Sequence, residues 1–240
     1  MPVLFSTVPP NPDLGRPVVV SDFDGTLTRH DLGALTLERF GTPGWERYDE
    51  LFENGEITIA ECIRKQSAMI RARSQKEILR YISGFSRFRP GFVQLLNECR
   101  RGGVEFVVAS AGIDFCIRQV FRLNELPMPR LYCPVTTFTR TGLRVEMPPR
   151  PRIRRNSGLP ISRPHGFKEA LVASYRSRGR RVVYLGDGVT DLPAAAIASK
   201  VFAIRGSRLE RGCLQRGIPC ASIRTLLPVS QFLRVDRTSR

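Results

Sequence analysis

The stretch PVVVSDFDGTLT, Pro17 to Thr28, constrains the fold more than any other part of the chain. A β-branched run, Val18 to Val20, stops at two aspartates one residue apart, Asp22 and Asp24, and Gly25 and Thr26 follow at once. Such a run, closed by a turn signal, reads as a strand buried on both faces in a parallel sheet. Open α/β sheets carry their ligand sites just beyond the carboxyl ends of such strands. Carboxylates placed there are costly unless paired, hydrogen-bonded or bound to a metal. An Asx-type turn, in which both aspartates only close the loop, is the plainer alternative.

The rest of the chain alternates in the way a layered α/β domain requires. VEFVVAS (104–110), RVVYLGDG (181–188) and KVFAI (200–204) read as further buried strands, and IPCASI (218–223) as a last one. Between them, helices are expected from Pro90 through Cys99, over 113–121, over 165–177, after Thr190 as a cap, and after the Ser207/Glu210 capping box. Residues 131–136 and 142–147 read as a hairpin turned at 139–142, and 148–164, with its prolines, as irregular chain. Residues 1–16 read as a proline-bearing arm. Strand and helix in this order predict a doubly wound, mostly parallel sheet.

One block breaks the alternation. Residues 30–86 contain LGALTLERF (32–40), WERYDELF (45–52), and two capping boxes, Thr58/Glu61 and Ser74/Glu77, with no convincing strand. They read as a helical insertion, a cap domain over 30–86, leaving 1–29 and 87–240 as the core.

At 240 residues, 42% hydrophobic and 25% charged, the chain has the composition of an ordinary globular protein. No window approaches a membrane-spanning segment and the first residues lack a signal-peptide layout, so the cytoplasm is the expected compartment. Six cysteines without a CxxC pair, and two histidines, argue against a zinc site. The net charge of +16 weakly favours an anionic substrate and opens two further readings, an enzyme acting on nucleic-acid ends and a basic binding protein, with arginine spread over solvated faces as the plainer alternative.

Three buried strands end in polar residues: the first at Asp22 and Asp24, the second at Ser110, the third at Asp187. In a parallel sheet these ends share one edge. GDGVTD (186–191) adds Asp191 at a helix start, where a capping role is the simple explanation. Carboxylates with few histidines or cysteines nearby suit Mg²⁺, a hard ion with oxygen ligands. Mg²⁺ together with a basic side chain and a hydroxyl implies a phosphate substrate, and no GxxxxGKS loop is present to hold it.

DFDGTLT, the strand ending at Ser110, Lys168 and GDGVTD together resemble the four motifs of the haloacid-dehalogenase-like phosphatase superfamily. The insertion after the first motif resembles the cap of the subclass that contains phosphoserine phosphatase. SAGIDF (110–115), the VTD of the fourth motif and VFAIRGSRLERGCLQRGIP (201–219) are most similar to the branch of 2-hydroxy-3-keto-5-methylthiopentenyl-1-phosphate phosphatases. RPHGFK in place of a cysteine-bearing segment, and Ala111 in place of a common glycine, depart from that branch. The resemblance implies a Rossmann-like core with a helical cap and a Mg²⁺-dependent phosphomonoesterase acting on a small phosphorylated metabolite. Phosphoserine hydrolysis is the alternative within the subclass, and phosphotransfer to an acceptor other than water stays open.

Roles follow residue by residue from the resemblance. It implies Asp22 as nucleophile and Asp24 as acid and base. Mg²⁺ would be held by Asp22, Asp24 (through its carbonyl), Asp187 and Asp191, the last ordering the shell. Ser110, Ala111, Gly112 and Lys168 would hold the phosphate, with Arg163 as the substitute for Lys168. A surface lysine on its helix is the plain alternative for Lys168. Asp114 is a further candidate to line the site, with a helix-start charge as its plain alternative. In the cap, His30, Asp31, Arg64 and Arg71 are the candidates for specificity.

Overall fold

The computed structural model describes residues 14–154 and 166–238. Six strands form one sheet: β1 (Pro17–Ser21), β2 (Glu105–Ala109), β3 (Arg130–Tyr132), β6 (Arg181–Gly186), β7 (Lys200–Ile204) and β8 (Ala221–Ile223), in the order β3-β2-β1-β6-β7-β8. Every neighbouring pair is parallel. A separate antiparallel pair, β4 (Val135–Thr139) and β5 (Gly142–Glu146), stands outside it.

The period of two along each strand sorts its residues onto two cores. Val19, Phe106, Val108, Val183, Leu185 and Phe202 face one side. There they meet α5 (Phe92–Arg101), α6 (Asp114–Leu123) and α10 (Leu227–Thr238). Val18, Val20, Val107, Tyr184 and Val201 face the other, against α7 (Phe167–Arg176), α8 (Leu192–Ala196) and α9 (Arg208–Gln215). Val18, Val19 and Val20 are all 0% exposed, which is why the run carries no polar alternation.

Four helices fill the chain between β1 and α5: α1 (Leu32–Phe40), α2 (Arg47–Glu53), α3 (Ile59–Ala68) and α4 (Gln75–Ile82). Asp31, Thr58 and Ser74 cap the first, third and fourth, and the Thr58/Glu61 box is complete. The chain leaves the core and returns to it side by side, through an antiparallel bridge between Thr28 and Phe88. This is a helical cap inserted after the first strand, and β5 packs against its helix α3.

Three sequence expectations shift. The expected hairpin strand 131–136 divides: Arg130–Tyr132 joins the main sheet beside β2, and the hairpin proper pairs 135–139 with 142–146 around the expected turn. Pro90 is not in the first turn of α5. Gly91 intervenes with φ +92, a left-handed conformation no helix continues through, and a side chain there would strike the backbone at Leu227. Thr190 gives α8 no side-chain cap, because Val189–Asp191 forms a turn of 3₁₀ helix instead. Residues 1–13 of the expected arm, 155–164 of the irregular stretch, Arg163 among them, and the first residue of the expected helix 165–177 lie outside the described residues. No helix among the described residues is long and apolar enough to cross a membrane.

Candidate active site

Parallel register brings the expected strand ends together. Ser21 pairs with both Val108 and Leu185, and the Asp22 N–H donates to the Leu185 carbonyl at 2.9 Å. Asp22, Asp24, Ser110, Ala111, Gly112, Lys168 and Asp187 all line one cavity of about 560 Å³. Asp191 lies beneath it, 0% exposed.

Lys168 is not the surface lysine its helix position allowed. It is 3% exposed, with its ammonium 2.8 Å from Asp22 Oδ1 and 2.7 Å from Asp191 Oδ1. Asp191 is also more than a helix-start charge. Its Oδ1 accepts from Lys168 and from the Tyr184 hydroxyl at 2.7 Å. Its Oδ2 accepts the backbone N–H groups of Asp187 at 3.0 Å and Gly188 at 2.9 Å. Four donors on one buried carboxylate fix the turn that presents Asp187.

The first turn is fixed in a similar way. Thr26 donates to Asp187 Oδ1 at 2.5 Å, and the Leu32 N–H donates to Asp24 Oδ1 at 2.9 Å. Gly25, at φ +72, runs so close to Asp187 that a Cβ would overlap its carboxylate, and a Cβ on Gly112 would overlap that of Asp24. The glycines of both loops thus let backbone approach carboxylate. Gly112 also donates its N–H to Ser110 Oγ at 3.0 Å.

Negative charge is in surplus here. Burial, then the Asp191 charge, push Asp22 well above the usual carboxylate range, against the pull of Lys168. Burial, then Asp31, do the same to Asp24. Asp187 rises to about 6, through burial and Asp191, although the Thr26 hydrogen bond opposes it. Burial pulls against the Lys168 charge, yet Asp191 and Asp22 hold its pKa above the ordinary lysine range. Oxygen atoms of Asp22, Asp187 and Asp191 lie within 4.8 Å of one another. An all-oxygen cluster with one ammonium to balance it fits a divalent cation.

The cap supplies the remaining walls. Leu37, Trp45, Phe52, Ile59, Ile63 and Ile70 give an apolar lining, with Asp49 and Gln66 among them. From the core, Arg208 and Arg211 at the start of α9 reach the rim, and Arg208 pairs with Glu53 of α2. Of the cap candidates, only Asp31 lines the cavity, open to its space yet ringed by protein, while also capping α1. His30 packs edge-on against Phe85, and Arg71 donates to the Ala68 and Thr141 carbonyls. Arg64 is exposed and Asp114 accepts from the Thr136 N–H; neither lines the cavity. Sequence reasoning missed Trp45, Phe52 and the two arginines. The capping-box spacing places helices without saying which faces turn inward.

Residues 19–196 match the family model of the haloacid dehalogenase-like hydrolases, and the chain belongs to that family. It is 26% identical over 186 residues to a 2-hydroxy-3-keto-5-methylthiopentenyl-1-phosphate phosphatase of Brevibacillus brevis, covering 78% of this chain and 82% of that one. In fold it is similar to a substrate-bound phosphoserine phosphatase complex, with TM-score 0.64 and 15% identity over 91% of this chain and 98% of the other. A structure described as a phospho-aspartyl intermediate analogue of phosphoserine phosphatase matches at TM-score 0.63 and 15% identity, over 91% of this chain and 99% of that one.

The raised Asp187 gives a pH-dependent prediction. Its folded-state pKa lies above the unfolded value of 3.8, so its contribution to stability is full below that value and lost as pH rises through about 6. In chelator, Asp187→Asn should therefore gain melting temperature over the wild type at about pH 7.5 and gain much less near pH 5. A gain independent of pH would show that the Asp187 charge is not under this strain.

Proposed function

We propose that the chain is a Mg²⁺-dependent phosphomonoesterase that hydrolyses a small phosphate ester through an aspartyl-phosphate on Asp22. The observation that carries this reading is the buried Asp22–Lys168–Asp191 array beside Asp24, Ser110 and Asp187 in one cavity. Asp22 attacks phosphorus and the ester oxygen leaves, splitting one hard displacement into two easier ones. Asp24, biased toward its protonated form by burial, gives its proton to the leaving oxygen and takes one from water in the second step. Ser110 and the Ala111 N–H would donate to phosphoryl oxygens, joined by the Gly112 N–H once it exchanges Ser110 Oγ for the phosphate, and Lys168 neutralises their charge. Asp22, the Asp24 carbonyl and Asp187 would hold Mg²⁺, with Asp191 ordering that shell. When bound, the ion offsets charge on Asp22 and on the phosphoryl group.

In this reading residues 1–29 and 87–240 form the catalytic core and 30–86 the cap domain, working in the cytoplasm, where six unpaired cysteines are at home. The substrate is a small metabolite, in keeping with a cavity of about 560 Å³ walled by both cap and core. The apolar wall of Trp45, Phe52, Ile59 and Ile63 favours a leaving group with an apolar body over the compact, doubly charged serine. The enol-phosphate of methionine salvage, the substrate in the name of the Brevibacillus brevis relative, has such a body.

Asp22→Asn should lower kcat on an aryl phosphate by at least about a thousandfold while the melting temperature holds or rises. Wild-type turnover by that variant would end the nucleophile assignment. Across a panel of phosphate esters with Mg²⁺, kcat/KM should favour the methylthio enol-phosphate over phosphoserine by at least about tenfold. The reverse order would replace the apolar reading with the phosphoserine one.

A further inference from the structure

We propose that Arg89 is a positioning residue that clamps the turn carrying Asp24, Gly25 and Thr26, and through it holds Asp187 and the cation in register. This rests on the metal-site reading above and adds a residue that lies outside all four motifs.

Arg89 sits where the chain returns from the cap. Its backbone N–H donates to the Leu27 carbonyl at 2.6 Å, directly beside the Thr28–Phe88 bridge. Its guanidinium then reaches inward. Nε donates to the Thr26 carbonyl at 2.9 Å and Nη2 to the Gly25 carbonyl at 2.6 Å, with a longer contact from Nη2 to Thr28 at 3.5 Å. Nη1 donates to the Arg224 carbonyl at 3.3 Å, tying the same turn to the chain after β8. No carboxylate is paired with this arginine among the described residues. Its planar fork is spent on main-chain carbonyls, a geometry that an ammonium cannot reproduce.

The turn it grips is the one that needs holding. Gly25 is in the left-handed region and pressed against Asp187, and Thr26 donates its hydroxyl to the same carboxylate. The carbonyls of Gly25 and Thr26 point to Arg89 while the Thr26 hydroxyl points to Asp187, so the peptide plane between them is set from both sides. Without the fork, two carbonyls at the turn lose their donors, and the Thr26–Asp187 contact loses its backing. Groups that orient ligands in this way commonly change metal affinity or activity by about 10- to 100-fold.

The test compares wild type, Arg89→Ala and Arg89→Lys. Titration of Mn²⁺ into metal-free protein, followed by calorimetry, should show the dissociation constant rising by about tenfold in Arg89→Ala and by a smaller factor in Arg89→Lys. With Mg²⁺ and an aryl phosphate, kcat should fall in parallel while KM stays within about threefold, and millimolar guanidinium should restore part of the Arg89→Ala rate without raising that of the wild type. If Arg89→Ala does not fold, Arg89→Lys carries the test through the same titration. A folded variant that binds Mn²⁺ as wild type does would overturn the clamp, even if its melting temperature had dropped. Inactive wild type that still binds Mn²⁺ would count against the phosphatase reading alone, because the clamp is read from the cation affinity.

Discussion

The buried ammonium of Lys168, held between Asp22 and Asp191, is the interaction on which the site depends. Three carboxylates within reach of one another in a low-dielectric floor would not all stay ionised without a cation among them. Lys168 supplies one charge, shared between Asp22 and Asp191. It holds one oxygen of Asp22, and the raised pKa values of Asp22 and Asp187 mark the negative charge that one ammonium leaves unbalanced. Ion pairs of this kind add little net stability, since desolvation offsets the attraction, but losing one partner strands the other. Their use here is directional. Asp191 spends both oxygens on Lys168, Tyr184 and two backbone N–H groups, so the ammonium is fixed by the fold and not by substrate.

That arrangement explains why the two halves of the molecule have different characters. The core sets charges to within a hydrogen-bond length, using strand ends whose positions the sheet register dictates. The cap contributes bulk: short helices whose apolar faces close over the charges, joined to the core by two adjacent crossings. Where cap and core meet at the far rim, the contact is the ion pair of Glu53 with Arg208, an exposed pair of the sort that contributes little to stability. Elsewhere cap and core share apolar packing, with Leu37, Ile70, Ile78 and Ile82 in one cluster with Phe121 and Leu143, and α3 lies against β5.

The layered sheet and the convergence of Asp22, Asp24, Ser110 and Asp187 were legible in the sequence, because a run such as Val18–Val20 allows one environment and a parallel sheet has one carboxyl edge. The burial of Lys168 was not, since its helix reads FKEALVASYR with nothing to mark that lysine's face as inward. Arg130–Tyr132 was assigned to the hairpin because three residues carry too little pattern to choose between partners. The cavity walls escaped for a related reason: short capped helices announce their ends but not their packing angles. Arg89 left no signal at all, because its partners are main-chain carbonyls, which every residue possesses.

An aspartyl-phosphate route through Asp22 requires an acyl-phosphate on that carboxylate during turnover. Quenching the enzyme in acid during turnover with Mg²⁺, reducing with borohydride and sequencing its peptides by mass spectrometry tests this directly, since reduction converts an acyl-phosphate on aspartate to homoserine. Homoserine at position 22, absent when substrate is omitted, is the expected result. Full turnover with Asp22 unmodified and the reduction mark on another carboxylate, or on none, would contradict it.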